Sequence, residues 1–131
     1  MKQTIFLFGE AEKGAFCTPI LCQSLPQMVD ILGHPPGESR GVYYGVQTLL
    51  YKREVLFFRV KEEGFSKEDY LRGLKWLQKG HACDSLSAIC MPGVGDAELI
   101  DTSSTVCQLY KSCLIIDEKD LYDYLTCKVV H

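Results

Sequence analysis

The sequence predicts one three-layer α/β domain, a mainly parallel open sheet of four or five strands with helices on both faces. Two observations carry this. Short runs rich in Val, Ile, Leu and Phe alternate from end to end with longer stretches whose apolar residues recur at helical spacing. That alternation builds βαβ crossovers, which are right-handed and cover both faces of a parallel sheet. The 131 residues, 47% hydrophobic and 24% charged, suit one domain over 1–131 with one full core.

The elements follow in order. Gln3–Gly9 reads as the first strand. Glu10–Gln23 reads as a long loop, in preference to a hairpin with a return strand Phe16–Cys22, because Pro19 confines a strand to an edge. Ser24 is placed to cap a helix with Pro26 in its first turn and Leu25, Met28, Val29 and Leu32 on one face, closed by Gly33. His34–Gly37 is a loop. A second helix spans about Ser39 to Lys52, with Val42, Tyr43, Val46, Leu49 and Leu50 predicted on its inner face; Gly41 and Gly45 weaken it or allow close packing. Glu54–Val60 is the second clear strand, Lys61–Phe65 a turn, and Ser66 with Asp69 has capping-box spacing. Tyr70, Leu71, Leu74 and Leu77 stripe the helix that Gly80 ends. Leu86–Met91 is a strand, Asp96–Lys111 a helix with Leu99, Ile100, Ser103, Val106, Cys107 and Tyr110 inward, and Cys113–Ile116 a strand. Asp117 caps Glu118–Thr126, with Leu121, Tyr122 and Leu125 on one face. Cys127–His131 frays, or Lys128–Val130 adds an edge.

Composition narrows the function classes. A net charge of −3 and a pI near 5.6 argue against a nucleic-acid partner, which selects for basic stripes. No apolar run is long enough to span a membrane, so no membrane partner is expected. The apolar run at the start, Ile5–Phe8, is shorter than a signal-peptide core, so a cytoplasmic location is expected. Seven cysteines, at 17, 22, 83, 90, 107, 113 and 127, form no Cys-x-x-Cys pair. In a chain with its own core they read as reduced, mostly buried thiols.

The sharpest motif is Met91-Pro-Gly-Val-Gly-Asp96, a strand end running into a helix start. Ligands of open α/β sheets sit beyond the carboxyl ends of the strands. Gly93, Val94 and Gly95 could offer backbone N–H groups to an anion, and glycine permits close approach. The same residues also suit a plain β-turn with Asp96 as N-cap. The topology puts Glu10–Lys13, Lys61–Glu63, Met91–Asp96 and Asp117–Lys119 on one rim. Glu10, Glu12, Glu62, Glu63, Asp96, Glu98 and Asp117 make it acidic. Such carboxylates could hold Mg²⁺, or do acid–base work, or simply cap helices. An acidic rim opposes anion binding unless a metal, Lys13 or Lys61 offsets it. Cys17, and Cys83 beside His81, are the candidate reactive thiols, and Cys17, Cys22 and His34 a weaker zinc set. No P-loop, G-x-G-x-x-G after the first strand, G-x-S-x-G or H-E-x-x-H occurs.

Ala88–Glu98, with the following helix, Leu114–Ile116 and Asp117–Tyr122, resembles the C-terminal half of the Rossmann-like LOG proteins. These carry a Pro-Gly-Gly-x-Gly-Thr phosphate loop and a downstream catalytic Glu. Here Val94 replaces the second Gly, the spacing is one residue short and the Thr is absent. The resemblance implies a nucleotide-sized ligand, while these departures weigh against the family's hydrolase chemistry. Tyr43–Phe65 is similar to small DsrE-type sulfur-relay proteins, though no cysteine follows its turn.

The expected fold is therefore Rossmann-like or flavodoxin-like. The leading expectation for function is binding of a phosphorylated or nucleotide-like small molecule by Gly93, Val94, Gly95, Asp96, Glu98, Glu10, Glu12, Lys13 and Glu62. The alternatives are a non-enzymatic protein-interaction module, possibly homo-oligomeric, using Tyr43, Tyr44, Tyr51, Tyr110, Tyr122 and Tyr124, and thiol chemistry at Cys83 or Cys17.

Overall fold

The computed structural model describes residues 3–34, 36–80 and 86–126. Five strands, β1 (Thr4–Gly9), β2 (Pro19–Cys22), β3 (Glu54–Arg59), β4 (Leu86–Cys90) and β5 (Cys113–Ile115), form one sheet in the order β2-β3-β1-β4-β5. All neighbours are parallel except β2, which runs antiparallel to β3. Strand β1 is central and buried along its whole length, which is why Thr4-Ile-Phe-Leu-Phe-Gly9 reads as a continuous apolar run. The chain moves from β1 to β3 on one side, then to β4 on the other. The order reverses between β1 and β4, the switch point where flavodoxin-like sheets open a crevice.

The helices are α1 (Leu25–Leu32), α2 (Gly41–Leu50), α3 (Lys67–Gln78), α4 (Ala97–Tyr110) and α5 (Glu118–Thr126). One core joins α1, α2 and α5 to Ile5, Leu7, Val55, Phe57, Ala88, Cys90 and Ile115. The other joins α3 and α4 to Phe6, Phe8, Phe58, Ile89 and Met91. Alternating side chains of the same strands thus feed both layers. Among the described residues no helix is long and apolar enough to cross a membrane.

Several sequence expectations are corrected. Part of the loop expected over Glu10–Gln23 is β2, an edge strand that pairs with β3 and not back on β1. Pro19 opens it, where an edge tolerates the missing N–H. The buried stripe of α2 is Gly41, Val42, Tyr44, Gly45 and Thr48, while Tyr43 and Leu50 point outward. The helix lies close on the sheet through its small residues, with Cβ-sized space at Gly45 already filled by Met28 and Leu7. On α5, Leu121 and Leu125 go inward at i, i+4 spacing and Tyr122 does not. Val29 of α1 is likewise exposed. Helix α2 begins at Gly41 and not at Ser39, whose hydroxyl donates to the Pro36 carbonyl in the preceding turn. Ser66 and Asp69 form no capping box: Ser66 Oγ accepts from Glu62 N–H, and Asp69 turns inward to Lys61 N–H. Cys22, Cys90 and Cys107 are buried free thiols, but Cys113 is exposed at the sheet edge. Cys83, His81, Cys127 and Lys128–Val130 lie outside the described residues.

Candidate functional site

The Met91–Asp96 turn is built by its own residues. Pro92 and Gly93 take its central positions, Val94 N–H donates to the Met91 carbonyl at 3.3 Å, and Gly93 has φ +75°, as a type II turn requires. Val94 is 3% exposed and anchors the turn in the α3–α4 core. An apolar residue therefore stands where a phosphate loop would have glycine. Asp96 Oδ1 accepts Leu99 N–H at 3.1 Å and caps α4. Gly93 and Gly95 are exposed, and a side chain added at either would meet nothing within 4 Å. The turn borders open surface.

Beside it, Lys67 Nζ lies 3.4 Å from Asp96 Oδ2 and 2.9 Å from Glu98 Oε1. The Leu99 amide first, and Lys67 with it, hold the Asp96 carboxyl below its ordinary range. A depressed folded pKa gives stability that is present above the unfolded value and lost as pH falls through the folded one. Asp96→Ala is therefore expected to melt below the parent protein at pH 7, with the gap closing in acid, as thermal melts over a pH series will read.

A carboxylate sits between the carboxyl end of β1 and the start of α2. Glu63, in the turn after β3, accepts Glu10 N–H at 3.1 Å and Gly41 N–H at 2.8 Å on Oε1, and Arg40 N–H on Oε2. Glu10 Oε2 accepts Glu63 N–H at 2.9 Å in return. Burial raises the Glu63 carboxyl, with the amides of Arg40, Glu10 and Gly41 opposing. Glu63 thereby caps α2, whose N-cap Arg40 makes no side-chain cap bond. The fit requires bare backbone: a Cβ at Gly41 would stand 2.7 Å from Gly9 Cα and 2.8 Å from Glu63 Oε1. The start of α5 is closed in the same manner, with Asp120 Oδ2 accepting Ile116 N–H at 3.1 Å and Asp117 Oδ1 accepting Asp120 N–H at 2.9 Å. The N-termini of α2, α4 and α5 each already hold a carboxylate of the chain.

The sequence-derived site residues separate into groups. Glu10 joins Glu63. Gly93 abuts Gly64, whose added Cβ would stand 2.9 Å from the Gly93 carbonyl oxygen. Asp96 and Glu98 share Lys67. Glu12 and Lys13 instead close α1, their N–H groups both reaching the Leu32 carbonyl at 3.1 Å. Glu62 is exposed. Among the described residues no group of three or more His, Cys, Asp or Glu could hold a metal ion, so neither the rim carboxylates nor Cys17, Cys22 and His34 assemble one. Cys17 donates to Asp69 Oδ1 at 3.3 Å, and burial first, then Asp69, pushes its thiol up. A thiol held protonated is a poor nucleophile.

A groove opens between α2 and α5. Tyr43, Gln47 and Tyr51 stand on one side and Tyr122 on the other, over the buried Leu121 and Leu125, around about 370 Å³. Glu118 and Lys119 complete it. A wider mouth of about 710 Å³ continues past Gly37–Arg40 at the start of α2. Tyr43, Tyr51 and Tyr122 remain 42%, 44% and 62% exposed. The other candidate tyrosines are engaged elsewhere: Tyr44 is buried, Tyr110 donates to the Leu77 carbonyl at 2.6 Å, and Tyr124 pairs with Ser87.

Sequence reasoning placed Glu63 on the acidic rim but left it out of the ligand-binding set, and it missed the groove. A helix whose own N-cap is Arg40 signals a remote cap, and the outward Tyr43 becomes legible only once the glycine stripe is taken as the inner face. No family model, curated protein or solved structure matches this chain. Function is therefore read from geometry alone.

Proposed function

We propose that this protein is a non-enzymatic protein-interaction module whose contact surface is the groove between α2 and α5. The observation that supports it is the meeting of Tyr43, Tyr51 and Tyr122, all exposed, over an apolar floor of Leu121 and Leu125. Tyrosine suits interfaces because it covers much area at little side-chain entropy and keeps a polar end for water or a partner. The rim around Gly93 offers open surface, as a module without a buried reaction centre would. Incorporating a photocrosslinking amino acid at position 122, and at the equally exposed Leu109 of α4 as control, tests the reading in cells. Discrete adducts are expected from 122 and none from 109; equal labelling, or none at 122, overturns it. An adduct of twice the chain mass would identify the homo-oligomeric form, which light scattering checks independently.

A phosphorylated small molecule at the rim is the second reading. The convergence of three amides on one carboxylate at the carboxyl end of β1 and the start of α2 favours it, because the ground there already suits negative charge. Such a ligand must displace Glu63. If nucleotides and sugar phosphates, with and without Mg²⁺, leave the melting temperature of the parent protein unmoved, this reading falls; binding at about 100 Kd would stabilise by about 2.7 kcal/mol.

A further inference from the structure

We infer that the α2–α5 groove takes a cationic side chain, a lysine or arginine with apolar neighbours, on an extended segment of a partner protein. The inference rests on the groove being a contact surface and names what it contacts. Tyr51, the C-cap residue of α2, follows Tyr43 by eight residues, so the two stand about 12 Å apart along the helix axis. The groove thus runs for about two helical turns, the length of about four residues of extended chain. Its floor is apolar and its walls present aromatic rings, and a ring face attracts a cation.

Charge selects the same ligand. Two charged side chains line the inner groove, Glu118 and Lys119. Lys119 Nζ is bound to Asp123 Oδ2 at 2.9 Å, one turn along α5 and outside the groove. Glu118 makes no ion pair among the described residues. Glu118 also lines the mouth, which adds one further charge of each sign, Glu38 and Arg40, and so no net preference. The charge left uncompensated over the tyrosines is one carboxylate. An ammonium or guanidinium seated there would meet ring faces and Glu118 together, whereas an acidic segment would meet Glu118 unfavourably.

Three short blocked peptides of identical length test this, Leu-Lys-Leu, Leu-norleucine-Leu and Leu-Glu-Leu, with free hexylammonium as a fourth probe. The readout is the shift of the Tyr43, Tyr51 and Tyr122 ring resonances. The lysine peptide is expected to bind about tenfold more tightly than the norleucine peptide, and the glutamate peptide most weakly. Glu118→Gln should erase the lysine preference while leaving norleucine binding in place, and added salt should shrink the preference in the parent protein. Equal affinity for lysine and norleucine peptides overturns the cationic inference and leaves the groove as a contact surface. Hexylammonium binding as tightly as the lysine peptide overturns the partner-segment assignment in favour of a free organic cation. Tyrosine resonances that move for none of the probes overturn both this inference and the contact surface beneath it. Melting curves confirm that Glu118→Gln remains folded.

Discussion

Replacing Glu63 by alanine lowers the stability of this fold by about 3 kcal/mol, because buried N–H donors lose their only acceptor and each costs about 1–3 kcal/mol when left unmade. The carboxylate serves three amides from two segments, Glu10 after β1 and Arg40–Gly41 at the start of α2. Arg40 is exposed, so water replaces its bond; Gly41 is buried and Glu10 half-buried, so theirs are the costly losses. For a chain of this size the melting temperature should fall by about 12 °C. Glu63→Gln keeps one acceptor oxygen but turns an NH₂ group toward an N–H, so its loss should fall between the parent protein and Glu63→Ala. Equal stability of all three would show that the three bonds contribute nothing.

The pH dependence has a definite sign. Burial raises the Glu63 carboxyl above its ordinary value, so the folded chain holds that proton at a pH where the unfolded chain has released it. Stability from this group is therefore largest below the unfolded pKa and declines as pH rises through the folded one. The gap between parent and Glu63→Ala should narrow across that window and stay level above it. Besides burial, the amides of Arg40, Glu10 and Gly41 and the Glu10 carboxylate set the field at Glu63. Denaturant unfolding at a series of pH values reads it; a gap that widens with pH would show that the amide bonds outweigh burial.

What the sequence made legible follows from how local each signal is. The four parallel strands were readable because a strand covered on both faces must be apolar throughout, and Ile5–Phe8 and Val55–Phe58 are. Strand β2 was not, because an edge strand of four residues opened by proline and half exposed leaves almost no pattern. The Asp96 cap and the Pro92-Gly93 turn were readable because both partners lie within a few residues. The Glu63 cap was not, because it spans 22 residues of chain to Gly41. Helix α2 carries apolar residues on more of its circumference than it buries, so periodicity offered two inner faces. The choice fell to Gly41 and Gly45, whose packing no spacing reports. That choice turned Tyr43 outward and created the groove.

The same close packing predicts that Gly73→Ala is destabilising, against the usual helix preference. Gly73 lies mid-helix in α3, where alanine normally gains about 1 kcal/mol over glycine. Here an added Cβ would overlap the Phe8 ring edge, standing 2.7 Å from Cζ, and would lie 3.3 Å from Phe58 Cδ1. Phe8 cannot swing aside: its ring centroid sits 5.0 Å from that of Phe6, 5.3 Å from Phe58 and 4.9 Å from Tyr70. Overpacking of a filled core costs about 1–3 kcal/mol; a ring that cannot move puts this site at about 2–3 kcal/mol, so the net loss after the helix gain should be about 1–2 kcal/mol. If the ring is the cause, shortening it must relieve the clash. Phe8→Leu alone should destabilise, yet Gly73→Ala combined with Phe8→Leu should lose at least about 1 kcal/mol less than the two single losses together. Additivity within about 0.5 kcal/mol would instead place the cost in the α3 backbone, and a Gly73→Ala protein as stable as its parent would mean that α3 can lift off β1 without penalty.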